Sequence, residues 1–161
     1  MAPPSLPPNA HLLPYQPAYR NQLLQVWEAS VQATHHFLQP LHWQQILTIV
    51  HTLPFENLGV YCLFINHELV AFLATSQHQL SMLFVAPQWQ HQGLGSYLLH
   101  WAIQHKGVTH LDVNAQNDQA IKFYESHGFE LHAQSPTDDL GLPYPIWHMH
   151  RSAKHQNARP Q

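Results

Sequence analysis

The run Val85-Ala86-Pro87-Gln88-Trp89-Gln90-His91-Gln92-Gly93-Leu94-Gly95-Ser96 joins a strand-like stretch, Leu80 to Val85, to a helix-like one, Tyr97 to His105. The next apolar run, His110 to Val113, reads as a strand. Strand, helix and strand in succession imply a right-handed parallel crossover. The joining loop holds two glycines and no acidic residue. It builds an anion cradle, because N–H groups at a helix start carry partial positive charge and glycine lets a phosphate approach the main chain. Two common cradles do not fit. A dinucleotide fingerprint asks for a third glycine where Leu98 stands, and a P-loop asks for Gly-Lys-Ser/Thr, which this sequence lacks.

Hydrophobic periodicity supplies the remaining elements. His11 to Leu13 reads as a short strand. Leu24, Trp27 and Val31 share one face of a helix from Ala18 to Val31, and Trp43, Ile46, Leu47 and Val50 mark a second from Leu41 to His51. Val60 to Ile65 and Leu69 to Thr75 are strands joined by Asn66-His67-Glu68, and Gln79 to Val85 follows, stopped by Pro87. Leu94, Leu98, Trp101, Ala102 and His105 share a face of the third helix, which Gly107 ends. Asn117 is placed as the N-cap of a fourth helix and Gly128 just past its end. Phe129 to Ala133 and Ile146 to His150 close the set. The fold class expected is α+β: a mixed, mostly antiparallel sheet of six or seven strands, one parallel strand–helix–strand crossover and about four helices.

A length of 161 residues suits one domain, expected at residues 10–151 between a Pro-rich tail (1–9) and a polar tail (152–161). Charged residues make up 9%, far below the usual 25% or so, and histidine and glutamine carry the polarity instead. A net charge of −3 with six Lys and Arg argues against a nucleic-acid partner. No apolar run approaches the ~18 residues of a membrane span, and the Pro-rich start lacks the features of a signal peptide, so the cytoplasm is expected. Cys62 stands alone in an apolar strand and reads as a small buried hydrophobe. The 16 histidines are dispersed, with only His35-His36 and His148-x-His150 close together. They form no metal-site spacing, and no metal is expected.

What remains of the loop is Gln-x-x-Gly-x-Gly, from Gln90, Gly93 and Gly95. Downstream comes Leu111-Asp112-Val113-Asn114-Ala115-Gln116-Asn117-Asp118-Gln119-Ala120-Ile121-Lys122-Phe123-Tyr124-Glu125-Ser126-His127-Gly128-Phe129. In order and separation these two blocks resemble the GNAT superfamily of acyl-CoA-dependent N-acetyltransferases. The resemblance covers roughly residues 10–151. Through Ala33-Thr34-His35-His36-Phe37-Leu38 and Asp138-Asp139-Leu140-Gly141-Leu142-Pro143-Tyr144-Pro145 it extends to a small bacterial subgroup, the YjaB-like acetyltransferases.

The resemblance implies that acetyl-CoA is the cosubstrate and an amine, on a small molecule or a protein, the acceptor. The implied assembly is a monomer or homodimer. Gln90, His91, Gln92, Gly93, Leu94, Gly95 and Ser96 would hold the CoA diphosphate. Many members carry Arg or Lys where this chain has Gln90 and Gln92, and Gly where it has His91, so the grip should lie with backbone N–H groups. Main-chain groups of Leu83, Phe84 and Val85 would pair with the pantetheine arm, and one amide there could stabilise the oxyanion. Asn117 would cap its helix and contact the cofactor. Tyr124 would be the general acid, since a phenol can protonate a departing thiolate. The base stays open among Glu28, His35, His36, Asp138, Asp139 and water, and Tyr144 either shapes the acceptor pocket or anchors its loop. The alternative reading is a non-catalytic acyl-CoA-binding or sensing domain.

Overall fold

The structure, a computed structural model, describes residues 5–152. It has two compact units, one through Val108 and one from Thr109. Most of the two expected tails, residues 1–4 and 153–161, lies outside the described residues.

In the first unit, β1 (Ala10–Pro14), β2 (Val60–Ile65), β3 (Glu68–Ser76) and β4 (Gln79–Val85) pair antiparallel in that order. Leu69 to Ala74 of β3 are buried without a break, as befits a strand covered on both faces. Two-residue turns set the hairpins. Asn66 and His67 (φ 50° and 68°) join β2 to β3, and Gln77 and His78 (φ 48° and 70°) join β3 to β4. Both pairs sit in the left-handed region that such tight turns require, so Glu68 belongs to the strand rather than to the link.

Three helices complete this unit: α1 (Arg20–Thr34), α2 (Pro40–Val50) and α3 (Leu94–Lys106). The face of α1 carrying Leu23, Leu24, Trp27 and Val31 enters a core with Phe55, Phe64 and Phe72. Trp43 of α2 stacks on Trp27, ring centroids 5.4 Å apart and planes 13° from parallel. Several boundaries shift by a few residues from expectation. A 3-10 turn over Pro17–Tyr19 delays the start of α1, which then runs to Thr34. Helix α3 starts at Leu94 rather than Tyr97 because Gly93, at φ 83°, turns the chain directly into it. Leu94, Gly95 and Ser96 therefore form a first helical turn.

In the second unit, β5 (His110–Asn114) pairs antiparallel with β7 (Ile146–Arg151), and β7 with β6 (Phe129–Ser135). Helix α4 (Asp118–Ser126) precedes β6, capped as expected: the Asn117 side-chain oxygen accepts from the Ala120 N–H at 3.2 Å. With seven strands and four α-helices among the described residues, the expected element count holds.

Candidate functional site

At the end of β4 the carbonyl of Val85 accepts two side-chain hydrogen bonds, from Ser30 Oγ at 2.6 Å and Gln90 Nε2 at 3.1 Å. Ser30 is 3% exposed and is the one buried polar residue among those described. A buried carbonyl at a strand terminus has lost its ladder partner and needs others. Here α1 and the loop supply them. The Val85 carbonyl is thus already engaged, while Leu83, Phe84 and Val85 themselves are half-buried. The Ala86 N–H is also used, donating to Val70.

In the loop that follows, two glutamine side chains and one tryptophan bond nearby protein groups: Trp89 Nε1 donates to Glu68 at 2.8 Å. Gln90 braces the strand end, and Gln92 Nε2 donates to the Gln88 carbonyl at 3.3 Å. His91 is exposed and sits at φ 62°. Glycine adopts that conformation without the roughly 1–2 kcal/mol a side chain costs there. The first N–H to bond back within α3 is that of Tyr97, to the Gly93 carbonyl at 3.0 Å. No side chain caps the helix start, and no acidic residue lies in its first turn. A Cβ built on Gly93 would meet nothing within 4 Å. A helix start with no acidic residue in its first turn and open space over a glycine make a cradle that fits a diphosphate. The residues present therefore suit the CoA diphosphate through main-chain donors.

Two base candidates lie at the end of α1. His35 is its C-cap and half-buried, and His36 is exposed. Burial lowers the His35 pKa below the ordinary value. The Val31 carbonyl opposes that shift, and the neighbouring His36 adds to it. Glu28 is half-buried farther back on α1. Cys62 is fully buried, and burial raises its thiol pKa to about 12, which removes it as a nucleophile.

In the second unit, Tyr124 packs edge-on between Phe123 and Phe129, centroids 5.3 and 6.0 Å away. Burial pushes its phenol above the ordinary value, so it stays protonated at neutral pH. Asp138 builds its own loop, its carboxylate accepting from the N–H groups of Leu140 and Leu142 at 3.0 and 2.9 Å. Both bonds fall on Oδ1 and order the loop. Asp139 is exposed, and Tyr144 is 4% exposed. The described histidines of this unit contact each other or neighbouring groups. His132 stacks on His150 at 4.2 Å, and His148 bonds Asp112 at 2.6 Å and Ser135 at 2.7 Å. Among the described residues no three His, Cys, Asp or Glu side chains are grouped to hold a metal ion.

A model of the acetyltransferase (GNAT) domain matches residues 56–131. The peptidyl-lysine N-acetyltransferase YjaB of Salmonella typhimurium is 34% identical over 126 residues, 78% of this chain and 86% of that protein. The chain belongs to the GNAT acetyltransferases. Its fold agrees with that of this family. The solution structure of apo YjaB from Escherichia coli superposes with a TM-score of 0.82 at 26% identity, over 88% of this chain and 97% of that one. The PaiA N-acetyltransferase of Thermoplasma acidophilum, solved with coenzyme A, shares the fold at a TM-score of 0.61 and 19% identity, covering 86% of this chain and 97% of that one. The expected class stands: a mixed, mostly antiparallel GNAT fold with seven strands and four α-helices among the described residues. As a GNAT acetyltransferase the chain moves an acetyl group from acetyl-CoA to an amine. No helix among the described residues is long and apolar enough to cross a membrane.

Sequence reasoning passed over Ser30. Its signal was a serine inside the apolar stripe Leu23, Val26, Trp27, Val31, where a buried hydroxyl needs a partner.

Proposed function

We propose that this acetyltransferase modifies lysine side chains of polypeptides. The supporting observation is its likeness to YjaB, a protein named for that activity, over most of both chains. A net charge of −3 also suits a cationic acceptor. In this reading the N–H groups from His91 to Ser96 hold the diphosphate of acetyl-CoA. Main-chain groups of Leu83 and Phe84 align the pantetheine arm, and Asn117, whose oxygen caps α4, contributes its side-chain NH2. Acetyl-CoA supplies the activated acetyl group. Tyr124 keeps a phenolic proton ready for the departing thiolate, whose conjugate thiol has a pKa of about 8.5 judged from cysteine. The cytoplasm, where acetyl-CoA and protein lysines coexist, is the compartment we infer.

The test incubates the protein with acetyl-CoA and either a mixed lysine-containing peptide pool or a panel of small amines. Thiol release and acetylated positions are followed by mass spectrometry. ε-Acetyl-lysine in the peptides, with faster thiol release than from small amines, is the expected result. Turnover restricted to small amines or peptide N-termini would reassign the acceptor. Tight acetyl-CoA binding without transfer to any amine would favour a sensing domain.

A further inference from the structure

We infer that His35 takes the proton from the acceptor amine, held by a hydrogen-bonded chain from the end of β4 in the tautomer that leaves Nε2 basic. The inference rests on the acetyltransferase reading of the same site and assigns the base that reading leaves open.

The chain has three links. Ser30 Oγ donates to the Val85 carbonyl at 2.6 Å. Thr34 Oγ1 lies 2.8 Å from the Ser30 carbonyl and 2.7 Å from His35 Nδ1. Thr34 has a single hydroxyl proton, and a carbonyl cannot donate. At 2.8 Å that proton must point at Ser30, since two bare oxygens would repel. The hydroxyl oxygen is then an acceptor, so His35 Nδ1 carries the N–H, and the lone pair of the neutral ring falls on Nε2. Ring packing against Phe37, centroids 5.3 Å apart, restrains the imidazole. Burial keeps it neutral at physiological pH, and His36 is the neighbouring titratable group that acts on it.

Placement agrees. His35 follows Ser30 by five residues, about 7.5 Å along the helix axis. Ser30 itself touches the strand end, and in this scheme the amine stands between that end and the imidazole, directly or through one water. Among the other candidates Asp138 orders its own loop through Oδ1, Glu28 is half-buried on α1, and His36 and Asp139 are exposed.

The step balances. Attack forms the C–N bond to the acetyl carbon and places positive charge on nitrogen, making its proton far more acidic than that of a free ammonium. Nε2 takes that proton. The oxygen pair returns to the carbonyl, the C–S bond breaks, and the thiolate leaves with a proton from the acid. His35 then releases its proton to solvent. Thr34 and Ser30 are positioning residues in this scheme.

The test measures kcat against pH for the full chain over about pH 5 to 9, with acetyl-CoA binding by calorimetry alongside. Wild type should show an acid limb centred below the ordinary histidine value of about 6.5. His35→Gln should lose that limb and about 100-fold in kcat, with acetyl-CoA affinity within about twofold. Thr34→Val should lower kcat several-fold and displace the limb, while Thr34→Ser restores both. If His35→Gln melts early, the Thr34 pair decides. Retention of the limb and of kcat in His35→Gln, or indifference to Thr34→Val, would overturn the assignment while wild-type turnover upholds the acetyltransferase reading. Failure of wild type to bind acetyl-CoA would defeat that reading, and this inference with it.

Discussion

In the loop from Val85 to Ser96 the glutamine side chains are turned back on the main chain, whereas in the stretch from Asn117 to Tyr124 a side chain ends in a chemically useful hydroxyl. Both stretches carry the family signature, and they use it differently. The first offers N–H groups, so its side chains matter through the shape they impose. The second offers an asparagine whose oxygen is spent on a helix cap and a tyrosine whose burial keeps it protonated. Substitutions in the first should alter binding, and those in the second should alter turnover.

Tyr124→Phe tests the contrast most strongly. Loss of the acid should lower kcat about 100-fold, with acetyl-CoA affinity changed less than threefold. Because burial raises the phenol pKa, the active form persists as pH rises, and no alkaline limb from this group should appear below about pH 10. An unchanged kcat would remove the acid assignment. Gly95→Ala comes next. A methyl group in the first turn of α3 should weaken acetyl-CoA binding about tenfold through crowding. It should also raise helix stability by up to about 1 kcal/mol, so affinity and melting temperature move in opposite directions.

Gln90→Leu leaves the Val85 carbonyl with Ser30 alone. It should cost about 1 kcal/mol in denaturant unfolding and a few-fold in acetyl-CoA affinity, with kcat at saturation preserved. A kcat loss matching that of Tyr124→Phe would erase the distinction between the two stretches. His91→Gly should have the smallest effect. It relieves the left-handed strain but frees the unfolded chain, for a net gain below about 1 kcal/mol. A few degrees of added thermal stability with unchanged affinity would confirm that His91 contributes conformation rather than contact.

Much of the fold was legible because its signals are local. The strands β2 and β4 match their apolar runs residue for residue, and Asn117 caps its helix through an oxygen only three residues from its partner. The misjudged boundaries were those decided by backbone angles. Gly93 in the left-handed region starts α3 three residues early, and Pro17 nucleates a 3-10 turn ahead of α1. Of the proposed site, the cradle residues and Tyr124 rest on sequence pattern. Pattern did not single out the base, because five residues of three types, Glu28, His35, His36, Asp138 and Asp139, could each have served.

The sequence by itself determined the element order, the hairpins, the helix cap and the family to which the chain belongs. Each depends on residues close together or on spacing along the chain. Tertiary structure alone decided what the polar side chains do. Ser30 and Val85 are 55 positions apart, and only packing of α1 against the sheet brings hydroxyl to carbonyl. That contact ties α1 to the strand terminus, where Gln90 also donates to the Val85 carbonyl. Hydrogen bonds at this range are chosen by which buried carbonyl would otherwise lack a partner, and no local pattern encodes that.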